Sequence, residues 1–313
     1  MYRSILVPLD GSEFGEHALP LALGIARRAG ATLQVAQVHV ALAPMYAEAV
    51  LAFDNAPDNV VKQRERGYLE RVVNRLATAS SVPVDCALLE GPIAEAVNAQ
   101  VKLTEVDLAV MTTHGRGPLA RFWLGSVADE LVRRLPIPLL LVRPQETKVD
   151  LSREPTFQHI LIPLDGSPLA EQIIEPAAAL GSLTGADYTL LRIIKPMVMG
   201  PYDPADSLPG HLDPSAVEQL QRLYRDEESE AGSYLERVAG RLRDRALKVQ
   251  TRVVVHDQPA VAILEEVKAH RADLVALATH GRSGLPRLFL GSVADKLVRG
   301  TTVPVLLQRP AVK

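Results

Sequence analysis

Cysteine is almost absent from this chain: among 313 residues there is one, Cys86. No intramolecular disulfide can form, no Cys-rich zinc cluster fits, and both exclusions agree with a reducing cytoplasm. Aromatic residues make up 4% of the total, with a single tryptophan, Trp123. That is too few for a platform on which nucleic-acid bases stack. A basic surplus is lacking too. Lys and Arg number 34 against 37 Asp and Glu, for a net charge of −3, which offers no general positive field to a nucleic-acid backbone. Long apolar runs are missing: Ala18–Ala26 and Leu135–Val142 fall far short of the ~20 residues that span a bilayer. The opening MYRSILVPLDGS has one basic residue, and Pro8 and Asp10 cut its apolar run, unlike a secretory signal. The expectation is a cytoplasmic protein with no membrane or nucleic-acid partner.

What the chain has is itself twice. PLDGS occurs at Pro8–Ser12 and Pro163–Ser167, an offset of 155. YLERV at Tyr68–Val72 and Tyr234–Val238, THGR at Thr113–Arg116 and Thr279–Arg282, and GSVAD-x-LVR at Gly125–Arg133 and Gly291–Arg299 all recur at an offset of 166. Four blocks in one order identify a tandem duplication of a whole domain, not a solenoid. The expected domains are 1–146 and 157–313, joined by a polar linker at 147–156. The 11 extra residues of the second copy fall in Pro196–Ser215, whose prolines forbid regular helix or inner strand and predict a long loop.

Each copy reads as alternating strand and helix. In the first, apolar runs predict strands at Ser4–Leu9, Thr32–Val40, Val82–Leu89, Asp107–Met111 and Pro138–Val142. Helical spacing covers Glu13–Ala29, Val60–Ala77, Ile93–Leu103 and Gly125–Arg134, with Gly30 as a stop and Pro20 as a kink. This order implies an α/β fold with a parallel sheet between helices, and ligands bound at the carboxyl ends of the strands. PLDGS and the THGR…GSVAD stretch both follow strands, so they should face each other across one crevice. Cys86 is expected to be buried in its strand and inert.

In both copies a glycine after the fourth strand (Gly115, Gly281) precedes a Gly-Ser helix start (Gly125–Ser126, Gly291–Ser292) by ten positions. Glycine lets the backbone approach a ligand, and a helix start presents free N–H groups and a positive dipole end. Together they suit a di- or triphosphate, or else serve only as tight-turn and capping residues. Asp10 and Asp165 either accept hydrogen bonds from a base or sugar, or form Asx turns in which Ser12 and Ser167 cap the next helix. His114 and His280 read as structural rather than catalytic. Arg116 and Arg282 either reach phosphate oxygens or are solvated, and Trp123 and Phe289 read as core. The charged helix Arg222–Arg243 reads as a solvated face laced by i,i+4 pairs. There is no P-loop, nucleophile elbow or aspartate cluster. The pattern is that of a binder, not an efficient enzyme, and no metal ligand or catalytic residue is assigned.

Strand-Pro-x-Asp-Gly-Ser, then Asp-Leu-x-x-Met-x-x-His-Gly-Arg, then Gly-Ser-Val-Ala resembles the universal stress protein family, as two fused copies. The resemblance implies two tandem doubly wound domains, each a five-stranded parallel sheet in the order 3-2-1-4-5. It implies pairing through the last strands, Pro138–Val142 and Pro304–Gln308, as an intrachain pseudo-dimer, and it leaves a homodimer and an unnamed protein partner open. It further implies a stress-response regulatory protein that binds ATP with or without Mg²⁺, or ADP or AMP, through G-x-x-G-x9-G-[ST]. Carried over, the phosphate side is Gly115, Gly125, Ser126 and Val127 in one copy and Gly281, Gly291, Ser292 and Val293 in the other. The adenosine side is Pro8, Asp10 and Val38, and Pro163, Asp165 and Ile193. The chain departs from the pattern at the first motif glycine, which is Thr112 and Ala278. A side chain there is expected to crowd the ligand, less so in the second copy. The other reading is an interaction module with degenerate sites.

Overall fold

The computed structural model describes residues 2–41, 56–113, 124–145, 147–196, 214–279 and 290–310. The first copy runs β1 (Ser4–Leu9), a 3-10 turn (Gly15–Ala18), α1 (Leu19–Ala29), β2 (Thr32–His39), α2 (Ala56–Ala79), β3 (Val84–Glu90), α3 (Ile93–Leu103), β4 (Leu108–Thr112), α4 (Ser126–Arg134) and β5 (Leu139–Val142). The second runs β6 (His159–Pro163), α5 (Pro168–Glu171), α6 (Ile174–Gly181), β7 (Asp187–Ile194), α7 (Pro214–Arg243), β8 (Val249–Val255), α8 (Pro259–Ala269), β9 (Leu274–Ala278), α9 (Ser292–Gly300) and β10 (Val305–Gln308). Proline 20 does not kink a helix. The predicted helix splits, and Pro20 stands in the first turn of α1, where its missing N–H costs nothing. Pro214 opens α7 in the same way; of the predicted proline-rich loop, residues 197–213 lie outside the described residues.

All ten strands form one sheet, β3-β2-β1-β4-β5-β10-β9-β6-β7-β8. Each half has the expected order 3-2-1-4-5 and is parallel throughout. The inner strands are buried on both faces, which is why β1 and β4 read as unbroken apolar runs. One core layer holds Ile5, Val7, Leu33, Leu69, Leu140, Ile160, Leu190 and Leu306, and the opposite layer holds Leu6, Val97, Leu131, Leu139, Leu161, Ile263, Leu297 and Leu307. Both layers run across the join between the copies.

That join is β5 against β10, antiparallel, with Leu140 opposite Leu306 and Leu139 opposite Leu307. Leu306 is the repeat equivalent of Leu140, so the seam is centred on a local two-fold axis, the geometry of an isologous interface. Arg143 Nη1 donates to the Thr301 carbonyl across it at 3.2 Å, and Tyr2 Oη donates to the Pro176 carbonyl at 2.9 Å. Arg27 and Arg28 both reach Glu154, tying residues 147–156 to α1. The antiparallel seam turns the strands' carboxyl ends to opposite sides, so the two crevices open in opposite directions. Cys86 corrects the sequence expectation: β3 is an outer strand, and Asp85, Cys86 and Glu90 on it are exposed.

Leu140 and Leu306 are fully buried. Leu306→Ala is expected to lower the unfolding free energy by about 2–5 kcal/mol, measured by urea denaturation of the full chain. A change below about 0.5 kcal/mol would show that the seam does not carry the fold.

Candidate ligand-binding crevice

Each copy turns sharply after its first strand. Asp10 Oδ1 accepts from the Ser12 backbone N–H at 3.0 Å and from Ser12 Oγ at 2.6 Å, and Ser12 Oγ accepts from the Gly15 N–H at 3.1 Å. The second copy repeats this: Asp165 Oδ1 accepts from Ser167 N–H at 2.9 Å and Oγ at 2.6 Å, and Ser167 Oγ accepts from the Ala170 N–H at 3.2 Å. The capping alternative for the two aspartates is therefore formed. Gly11 and Gly166 permit the turn, with φ of 77° and 84°, a region costly for other residues. The copies differ in one detail. A Cβ on Gly15 would lie 2.6 Å from Asp10 Oδ1, whereas its equivalent Ala170 is accommodated by a regular helical turn.

Across the crevice, α4 and α9 begin at Ser126 and Ser292, with Gly125 and Gly291 as N-caps and no side-chain cap. Their first N–H groups are thus not taken by a capping side chain, and the dipole favours negative charge there. Ser126 and Ser292 are exposed. The glycines have a packing role as well. Gly125 donates to the Thr113 carbonyl at 2.9 Å and Gly291 to the Thr279 carbonyl at 3.1 Å. A Cβ on Gly291 would sit 2.6 Å from that carbonyl oxygen, so only glycine lets the helix start so close to the strand end.

Strand alternation sorts the remaining candidates. Val38, Met111, Val127, Ile193 and Val293 pack with the layer beneath α4 and α9; Pro8 and Pro163 fall in register with that face. Thr112 follows Met111 and shares the face of Val110, where it is 6% exposed. Ala278 follows Leu277 likewise. Both therefore lie on the face opposite Val38 and the helix starts, and the expected crowding of a ligand is not a matter of side-chain size alone. Gly115, Gly281, His114, His280, Arg116, Arg282, Trp123 and Phe289 lie outside the described residues.

The structure also explains the repeated YLERV block, which the sequence left without a role. Leu69, Val72, Leu235 and Val238 are core residues, and the repeat continues to Arg75 and Arg241. Arg75 Nη1 meets Glu16 Oε2 at 2.7 Å, and Arg241 Nη2 meets the equivalent Glu171 Oε2 at 2.5 Å. Burial and the carboxylates of Glu16 and Asp10 raise the pKa of Tyr68. Burial and Glu171 do the same for Tyr234, with a smaller effect from Asp165. Behind each Asp-Gly-Ser turn thus stands the same tyrosine–glutamate–arginine set. The sequence signal was the wider spacing Y-L-x-x-V-x-x-R-L, seen only once glutamates 59 and 70 positions away are brought beside it. The α7 charges accordingly do more than lace a solvated face. Arg241 reaches Glu171, Arg245 just past the helix reaches Glu175, and among the described residues Arg222–Glu218 is the i,i+4 pair of α7.

Gly291→Ala is expected to cost about 1–3 kcal/mol, read as a lower thermal midpoint, because the added methyl collides with backbone. An unchanged midpoint would show that the α9 start is not pinned to Thr279.

The universal stress protein family model matches residues 1–143 and again 156–309. A universal stress protein of Mycobacterium tuberculosis is 33% identical over 206 residues, which are 66% of this chain and 62% of that protein; the match thus spans about six-tenths of the length of such curated relatives. A universal stress protein from Archaeoglobus fulgidus shares the fold with a TM-score of 0.65, 18% identity, and coverage of 98% of this chain and 96% of that one. A universal stress protein solved in complex with cAMP is 24% identical, covers 46% of this chain and 98% of that one, and has a TM-score of 0.34. Among the described residues no helix is long and apolar enough to cross a membrane. With both halves matched and the duplicated sheet in hand, the chain belongs to the universal stress protein family as a tandem, two-domain member.

Proposed function

We propose that this protein is a stress-response regulator that binds an adenine nucleotide, ATP above all, in one or both crevices, without efficient turnover. The observation that carries the reading is the duplicated helix start: in both copies a Gly-Ser pair opens a helix without a side-chain cap, against the end of the fourth strand. Phosphate groups fit such a place, since N–H groups and the helix dipole offer positive potential there and, among the described residues, no capping side chain takes those N–H groups. Ser126 and Ser292 each add an exposed hydroxyl donor. Val38 and Ile193, half-buried on the same face, offer an apolar wall to a base, with Pro8 and Pro163 beside them. Asp10 and Asp165 commit Oδ1 to their own turns. A bound triphosphate would bring its own Mg²⁺; among the described residues no group of three His, Cys, Asp or Glu side chains is placed to hold a metal ion.

Freshly purified protein, denatured and examined by mass spectrometry, is expected to release ATP or ADP at about one or two per chain, and calorimetry with Mg²⁺-ATP should saturate. No heat at millimolar nucleotide would sink the reading. Turnover above about 1 s⁻¹ would replace it with an enzyme.

The departures at Thr112 and Ala278 favour a second reading, an interaction module whose sites no longer take nucleotide. Because both side chains lie on the opposite face, Thr112→Gly with Ala278→Gly is expected to change ATP affinity by no more than about twofold. Binding that appears only in the glycine variant would support the interaction module.

A further inference from the structure

The two copies differ at the end of their second strands. His39, the last residue of β2, is 2% exposed. Its Nδ1 lies 2.7 Å from Glu65 Oε2 and its Nε2 lies 2.8 Å from Asp58 Oδ1. Both carboxylates belong to the first turns of α2. A neutral imidazole has one N–H, so it can satisfy one of these contacts; the other would set a bare nitrogen lone pair against a carboxylate oxygen. The arrangement as it stands needs the imidazolium.

The groups facing it come from three elements. Gln37 on β2 donates to Glu65 Oε1 at 3.4 Å. On α2, Lys62 Nζ lies 3.3 Å from Asp58 Oδ2, and it also lies 3.0 Å from Glu90 Oε1 at the end of β3. The arms are therefore unequal: without the His39 proton, Asp58 keeps an ammonium, whereas Glu65 keeps only a long amide contact. The second copy has nothing of the kind. The equivalents of His39, Asp58, Lys62, Glu65 and Glu90 are Ile194, Tyr224, Glu228, Ala231 and His256, and Ile194 and Ala231 are buried.

We propose that His39, Asp58 and Glu65 form a proton-dependent clasp between β2 and α2, present in the first copy only, that makes ligand binding in the first crevice respond to pH while the second crevice does not. The link to the ligand rests on the nucleotide reading above: Val38, on the apolar wall of the crevice, adjoins His39, so releasing the clasp loosens the strand end that holds it. The sign follows from the charges. Burial disfavours the charged ring, but the hydrogen bonds to Glu65 and Asp58 outweigh it and hold the His39 pKa above its ordinary 6.5. The clasp is then fully formed below that ordinary value and opens as pH rises through the raised one. The Asp58 pKa is lowered by His39 and Lys62, so the acid arm fails only well below neutrality.

The test uses the full chain. Amide exchange of residues 58–65, corrected for intrinsic rates, is followed between about pH 6 and pH 9, alongside ATP titrations in which the amide resonances of Val38 and Ile193 read the two crevices separately. In the wild type, exchange is expected to rise by about fivefold or more toward high pH, and ATP affinity at Val38 to fall by a similar factor while that at Ile193 holds. Glu65→Gln, whose amide can pair with a neutral ring, should fold and flatten both responses. Flat exchange in the wild type, or an equal response at Val38 and Ile193, would overturn the proposal. If millimolar ATP moves neither resonance, the nucleotide reading fails and with it the coupling, while the exchange data still decide whether the clasp exists.

Discussion

The β5–β10 pairing is the constraint on which the rest of this molecule depends. Parallel five-stranded sheets of this order end in a strand that needs covering, because an exposed edge invites association with another chain. Here the second copy supplies the cover, and both core layers continue through the seam. Since Leu140 meets its own repeat equivalent, the two copies are related as subunits of a symmetric dimer would be, and the surface that would make such a dimer is consumed inside one chain. The open edges of the sheet are then β3 and β8, which carry Asp85 and Glu90, and Gln250, Thr251 and Arg252.

The antiparallel seam also separates the candidate crevices. They face opposite sides, so one ligand cannot bridge them, and any coupling between them must pass through the sheet. This leaves each copy free to diverge. The turn after the first strand, the uncapped helix start and the tyrosine–glutamate–arginine set are retained in both. The strand end beside the crevice is not: it is an ionic cluster in one copy and apolar packing in the other. An internal duplicate thus serves as its own comparison. What both copies hold in common is the frame of the crevice, and what differs is the wall next to it.

Much of the fold was legible in the residues. Buried parallel strands read as apolar runs, and four repeated blocks at constant offset identified the duplication. The misreadings were local and have local causes. Pro20 was expected to kink a helix, but a 3-10 turn precedes it and places it where a proline fits. Cys86 sits in an apolar-looking stretch that proved to be an outer strand, where one side of the sheet has no neighbour. Thr112 was expected to crowd a ligand, and only strand register shows which face it takes.

By itself, the sequence determined the α/β class, the tandem organisation, and the turn and glycine-led helix start that frame each crevice, because these follow from periodicity, from glycine's conformational freedom and from short-range hydrogen bonding. The tertiary structure decided which side chains meet. Glu16 and Arg75 are 59 positions apart, His39 and Asp58 are 19 apart, and no local pattern marks them as partners. Their contact depends on how α2 lies across β2 and β3, and that is set by the packing of the core beneath it.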